Sequence, residues 1–223
     1  MKTLLPVLLM LCLTIPAFAV VEYPVDENYD GAMSVRAADV DGDGDTDVLG
    51  ASLYYNDITW WENIDGYGTS WTEHTVDGNV SGTTHAHPVD LDNDGDIDVV
   101  GSSYYDDYIH WWENDDGSGT SWTEHTVDAN FGFARFVYAA DVNGDGHIDV
   151  LVASEGDDEI SWWENDDGSG TSWTKRLVDG SLSGACCVHS IDVDGDGDLD
   201  IVGSGFAGHE VAWWRNSNGA GTS

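Results

Sequence analysis

One interval governs this chain. The tryptophan pairs Trp60–Trp61, Trp111–Trp112, Trp162–Trp163 and Trp213–Trp214 stand 51 residues apart, as do the single residues Trp71, Trp122 and Trp173. All eleven tryptophans belong to that lattice. A chain so periodic reuses one supersecondary unit, and each copy must bury its apolar face against the next.

Within a unit the pattern is β throughout. Residues 34–40 run into an acidic loop and residues 47–52 leave it as DVLGAS. Residues 57–62 (DITWWE) and 71–76 (WTEHTV) are two further strands, separated by Gly-, Asn- and Asp-rich turns, and no helical period intervenes. Four short strands in about 50 residues, repeated, predict an all-β chain built as a β-propeller of four-stranded antiparallel blades. The units are 20–70, 71–121, 122–172 and 173–223. Strand neighbours point to opposite faces, so one Trp of each pair is expected to serve each inter-blade interface. The last unit lacks an outer strand, and residues 20–25 share the phase of residues 71–76. Residues 20–25 are therefore expected to pair with residues 210–215 and close a ring of four. A cut through a longer array would leave the same pattern.

The acidic loops carry the chemistry. They read DVDGDGDTD, DLDNDGDID, DVNGDGHID and DVDGDGDLD, starting at Asp39, Asp90, Asp141 and Asp192. Positions 1, 3, 5 and 9 are Asp39, Asp41, Asp43 and Asp47 in the first loop, and Asp90, Asp92, Asp94 and Asp98 in the second. The third has Asp141, Asn143, Asp145 and Asp149, and the fourth Asp192, Asp194, Asp196 and Asp200. Position 6 is always Gly and position 4 Gly or Asn, residues that tolerate the positive φ needed to wrap a chain round an ion. Position 7 (Asp45, Asp96, His147, Asp198) would offer its backbone carbonyl, so its side chain is free to vary. Two carboxylates about 5 Å apart repel by about 3 kcal/mol at an effective dielectric of 20. Four make six such pairs, on the order of 20 kcal/mol before relaxation, unless a cation sits among them. Hard oxygen ligands on a flexible loop favour Ca²⁺, one per loop and four in all.

On these loops the chain resembles the FG-GAP/VCBS repeat family, whose motif is D-x-D-x-D-G-x-x-D. The same repeat builds the integrin α-subunit propeller and some fungal lectins. The resemblance implies a calcium loop joining the first two strands of each blade, beginning with Asp39, Asp41, Asp43, Asp45 and Asp47. The FG and GAP elements are degenerate here, with Phe131–Gly132 the one trace, and family propellers commonly have seven blades.

Other features bound the function. Lys2, an apolar stretch over residues 4–16 and Ala17-Phe18-Ala19 read as a cleavable signal peptide, residues 1–19, and predict an exported, extracellular or cell-surface protein. Cys12 invites a lipoprotein reading, but bulky Leu11 precedes it. A net charge of −37 argues against nucleic acid and anionic membranes as partners. The adjacent Cys186 and Cys187 are either two small half-buried residues or a strained or intermolecular bridge. Arg36, His87, Tyr138 and His189 recur three residues before each loop, where they could line a central channel. His74 and His125 share another repeat position and read as exposed strand residues. A catalytic set would occur once and break the repeat. Arg135, Cys186–Cys187 and the loops between second and third strands (Tyr54–Tyr55, Tyr104–Tyr105, Phe206) are the clear breaks, and no Ser sits in a nucleophile context. The expected function is a non-catalytic binding or adhesion module for carbohydrate or extracellular protein. The alternatives are the propeller of a polysaccharide-active enzyme and a spacer in a longer surface protein.

Overall fold

The computed structural model describes residues 21–221, so the signal peptide expected over residues 1–19, and Val20, lie outside the described residues. Among the described residues fifteen strands form four antiparallel sheets, each a meander in chain order. The first sheet holds β1 (Ala32–Ala38), β2 (Asp47–Ser52), β3 (Asp57–Asn63) and β4 (Trp71–Asp77). The second holds β5 (Thr83–Val89), β6 (Asp98–Ser103), β7 (Ile109–Asn114) and β8 (Trp122–Asp128). The third holds β9 (Ala134–Ala140), β10 (Asp149–Ser154), β11 (Glu159–Asn165) and β12 (Trp173–Asp179). The fourth has three strands, β13 (Ala185–Ile191), β14 (Asp200–Gly205) and β15 (Glu210–Trp214).

The core lies between sheets, in three slabs. Leu49, Ile58 and Trp60 of the first sheet meet Ala86, Val99 and Trp112 of the second, and equivalent slabs join second to third and third to fourth. The paired tryptophans divide as expected. Trp60 and Trp111 face the following unit and donate Nε1–H to Gly119 O and Gly170 O at 3.2 and 3.1 Å. Trp112 and Trp163 face the preceding sheet and donate to the carboxylates of Asp77 and Asp128 on its last strand, both at 3.1 Å. These four indoles therefore bury their rings without stranding their N–H groups, whereas the buried Trp71 Nε1 has no partner.

Among the described residues the expected closure of the ring is not formed. Residues 21–25 form no strand, and β15 carries β14 alone. Residues 24–28 instead run beside Trp61, Trp71 and Glu73 of the first sheet. Tyr29 stands at the repeat position of Val80, Phe131 and Leu182, meets Trp61 edge-on at 4.9 Å and hydrogen-bonds Asp57 at 2.8 Å. Trp61 is consequently 5% exposed, whereas Trp213 at the other end is 45% exposed. The local sequence of 24–29 copies the end of an outer strand and its following turn, and that turn anchors it to the first sheet. Strand pairing with β15 is not needed to bury Tyr29.

Candidate functional site

In every unit the middle strand is antiparallel to both neighbours, so its two hairpin loops lie at opposite ends. One rim of the molecule therefore carries the acidic loops, and the other the loops between second and third strands.

On the acidic rim the structure brings positions 1, 3 and 5 together. One carboxylate oxygen from each of Asp39, Asp41 and Asp43 lies within 4.8 Å of the others, and the same holds for Asp90, Asp92 and Asp94 and for Asp192, Asp194 and Asp196. Local Asx turns build the cluster: Asp43 N donates to Asp41 Oδ1 at 3.2 Å and Asp45 N to Asp43 Oδ1 at 2.8 Å. Oδ1 of Asp39 and of Asp90 is buried with no hydrogen-bond partner, a costly state for a carboxylate oxygen. A cation at each cluster would satisfy it, and an all-oxygen donor set fits a hard divalent ion. In the third loop Asn143 Oδ1 accepts from Asp145 N at 3.0 Å while its Nδ2 donates to Asp145 and Glu164.

Position 9 stands apart. Asp47, Asp98, Asp149 and Asp200 are buried, and each staples two backbone amides. Asp98 Oδ2 accepts from Leu91 N and Oδ1 from Asn114 N, both at 2.9 Å; Val142 N and Asn165 N bind Asp149 at 2.9 and 3.0 Å. These bonds tie the loop to the end of the third strand. Burial pushes the carboxyls of Asp98 and Asp149 up to about 7, against the lowering effect of those amides. The sequence motif reads position 9 as a ligand. The structure gives both its oxygens a scaffolding role first.

The position 7 side chains pack against the turn that follows the third strand. The Asp96 carboxylate lies so close to Gly117 that a Cβ there would come within 2.6 Å of it, and Asp45, His147 and Asp198 meet Gly66, Gly168 and Gly219 in the same way. Gly117 also has φ +62°, so glycine is required twice over.

On the opposite rim every unit exposes an aromatic ring. Tyr54, Tyr55, Tyr105, Phe133 and Phe206 are all exposed. In the first two units a glycine before the inner strand, Gly31 or Gly82, makes room for Tyr54 or Tyr105 from the facing loop. The third unit exchanges the two: Phe133 takes the glycine position and Gly156 the tyrosine position. The ring survives at that rim although Phe133 must adopt φ 49°, a strained conformation for a non-glycine residue. Tyr104 bridges Tyr105 and Phe133 with centroid separations of 5.3 and 5.1 Å, forming one cluster across two units. Arg135 extends the rim by lying over Phe206 at 5.6 Å. Phe133 escaped the sequence reading; the signal for it was the reciprocal Phe/Gly exchange at one repeat interval.

The inner strands bring the recurrent polar residues into a stack. His87 lies 4.9 Å from Tyr138, and Tyr138 lies 4.0 Å from His189. His85 stacks on Phe136 at 3.9 Å, and Arg36 reaches its Nε2 at 2.6 Å. Burial, then the Arg36 charge, depresses His85 to about 3 and His87 to about 4. His74 and His125 are not simply exposed. They stack on Trp60 and Trp111 at 4.5 Å and pair with Glu62 and Glu113 at 2.9 and 2.8 Å. Cys186 and Cys187 are free thiols.

The FG-GAP-like repeat matches residues 39–101, 90–152 and 141–203, three overlapping copies that span all four acidic loops. The chain belongs to the FG-GAP-like repeat family. No curated protein sequence matches it. Among solved structures, this FG-GAP-like chain is similar to an Agrocybe aegerita lectin that recognises non-reducing terminal N-acetylglucosamine. The TM-score is 0.57 at 22% identity, over 87% of this chain and 52% of the lectin. BBS1N, solved in complex with ARL6DN, aligns with a TM-score of 0.55 at 11% identity, over 81% of this chain and 55% of that one. The chain thus spans about half the length of these structures, and at such identities the likeness is one of fold.

Proposed function

We propose that this chain is an exported binding module of propeller type, stabilised by calcium on one rim and docking carbohydrate on the other, with no catalysis of its own. The observation that carries the proposal is the aromatic rim. A ring is kept there in every unit, once by a glycine exchange that leaves a phenylalanine strained. Exposed, clustered aromatics supply flat apolar faces for sugar rings, and strain concentrated at a surface cluster is characteristic of sites selected for contact rather than stability. The cluster Tyr104, Tyr105 and Phe133 is the centre of the proposed surface, and the lectin of similar fold supports carbohydrate as the class. The acidic clusters and the orphaned Asp39 and Asp90 oxygens support a hard divalent cation, for which calcium has the right ligand preference.

A glycan array probed in calcium, with Tyr105→Ala and Phe133→Gly chains beside the wild type, tests this. Binding to a defined glycan set that both substitutions weaken is the expected result. Glycan binding indifferent to both would move the site off this rim. Binding only to extracellular proteins would replace carbohydrate as the ligand class.

A further inference from the structure

The four acidic loops differ at a residue outside their nine-residue motif. Immediately after each tryptophan pair stands Glu62, Glu113, Glu164 or Arg215. In the first three units this glutamate pairs outward with the last strand of its sheet. Glu62 meets His74 at 2.9 Å, Glu113 meets His125 at 2.8 Å, and Glu164 meets Arg176 at 2.6 Å. Their charge also reaches position 3 of the loop. Glu164 accepts from Asn143 at 3.2 Å, while Glu62 and Glu113 lie near enough to Asp41 and Asp92 to act on them electrostatically. The fourth unit reverses the charge. The Arg215 guanidinium spans positions 3 and 5, with Nε 2.6 Å from Asp194 and a terminal nitrogen 2.9 Å from Asp196.

Position 1 differs between the loops as well. Asp39 and Asp90 each keep a buried oxygen without a partner. Asp192 has neither oxygen free: Oδ1 accepts from Gly195 N at 2.6 Å and Oδ2 from Gly197 N at 3.1 Å. Both oxygens of Asp141 are likewise taken, by Asp145 N and Gly146 N. Two independent features therefore separate the first two loops from the fourth: the charge beside the loop and the bonding of its first carboxylate.

Resting on the calcium reading above, we infer that the loops are graded: the first and second are the tight calcium sites, and Arg215 holds the fourth as a weak one. An ion entering the fourth loop must displace the guanidinium from two carboxylates and then endure its charge at close range. In the first and second loops an added carboxylate, Glu62 or Glu113, reinforces the site instead. The third loop has fewer charges, through Asn143 and His147, and belongs with the weak class for that separate reason.

Calorimetric titration of the chelator-treated protein with CaCl₂ reads the grading directly. The wild type is expected to show two classes of site. Arg215→Glu should move one site from the weak to the tight class, a gain on the order of tenfold or more, because two charges of opposite sign exchange beside a divalent ion. Arg215→Gln should give part of that gain and serves if the glutamate variant folds poorly. The reciprocal change, Glu113→Arg, should transfer one site the other way. Calcium binding that is unaltered in both Arg215 variants would overturn the grading while leaving the calcium reading intact. Absence of calcium binding to the wild type at any loop would overturn both.

Discussion

On one rim of this molecule four loops repeat D-x-[D/N]-x-D-G-x-x-D almost letter by letter; on the other, the same units carry Tyr54–Tyr55, Tyr104–Tyr105, Phe133 and Phe206 with no fixed spelling. Both rims hang from the same middle strands, so the difference does not come from the scaffold. The acidic rim is tied into the core: position 9 is buried in every unit and bonds the amides that join the loop to the third strand. Any change there is felt by two strands at once. The aromatic rim is exposed, and a ring can be presented from either of two facing loops, as the Phe133–Gly156 exchange shows. Strict repetition marks what the fold depends on. Looser repetition marks a surface free to adapt to what it meets.

Substitutions on the two rims should separate these roles. The largest effect is expected from Asp98→Ala, which strands the buried amides of Leu91 and Asn114. Each lost acceptor costs about 1–3 kcal/mol, so denaturant unfolding should show a loss of about 2–6 kcal/mol. A loss below about 0.5 kcal/mol would mean that the staple is dispensable and the contrast between rims false.

A middle-sized effect belongs to the inner strands that connect the rims. His85 and His87 are held neutral, with pKa values near 3 and 4 in the fold, facing Arg36, Phe136, Tyr138 and His189. The unfolded chain binds protons at these positions below about 6.5 and the folded chain does not. Their stabilising contribution is therefore complete above about 6.5 and is lost as pH falls through about 4 and 3. Metal-free His87→Gln, which cannot be protonated, should show a shallower loss of stability between pH 6.5 and 4 than the wild type. Parallel pH–stability curves would contradict the burial assignment.

The smallest effect should come from the aromatic rim. Phe133→Gly relieves a positive φ but removes a half-exposed ring, so stability should change by less than about 1 kcal/mol, with gain as readily as loss. Its consequence belongs in ligand binding. A loss of several kcal/mol would make Phe133 a core residue and weaken the distinction drawn above.

Much of this was legible in the sequence, because a strict period converts one correct unit into four. The second strand of the first unit was expected at 47–52 and is found as β2 (Asp47–Ser52), and the two faces of each Trp pair followed from strand alternation alone. Less legible was anything that depends on which neighbour is present. Residues 20–25 carry the phase of an outer strand, yet what Val21–Val25 pair with is decided by tertiary context. There the Tyr29–Trp61 contact anchors the segment to the first sheet. The motif also could not tell a ligand from a staple, since the same Asp serves either purpose. The distinction at position 9 rests on burial and on two amides, Leu91 and Asn114, that lie 7 and 16 residues away from Asp98. Arg215 lies outside the motif, and only its contact with Asp194 and Asp196 ties it to the loop.

Calcium is proposed to complete the acidic rim. Thermal unfolding of the chain in millimolar CaCl₂, in MgCl₂ and in EDTA tests it most directly. An ion that binds the folded state alone adds about 2.7 kcal/mol per site at a hundredfold excess over its dissociation constant. The melting temperature should rise by many degrees in calcium, much less in magnesium, and be lowest in EDTA. One melting temperature shared by all three conditions would contradict it.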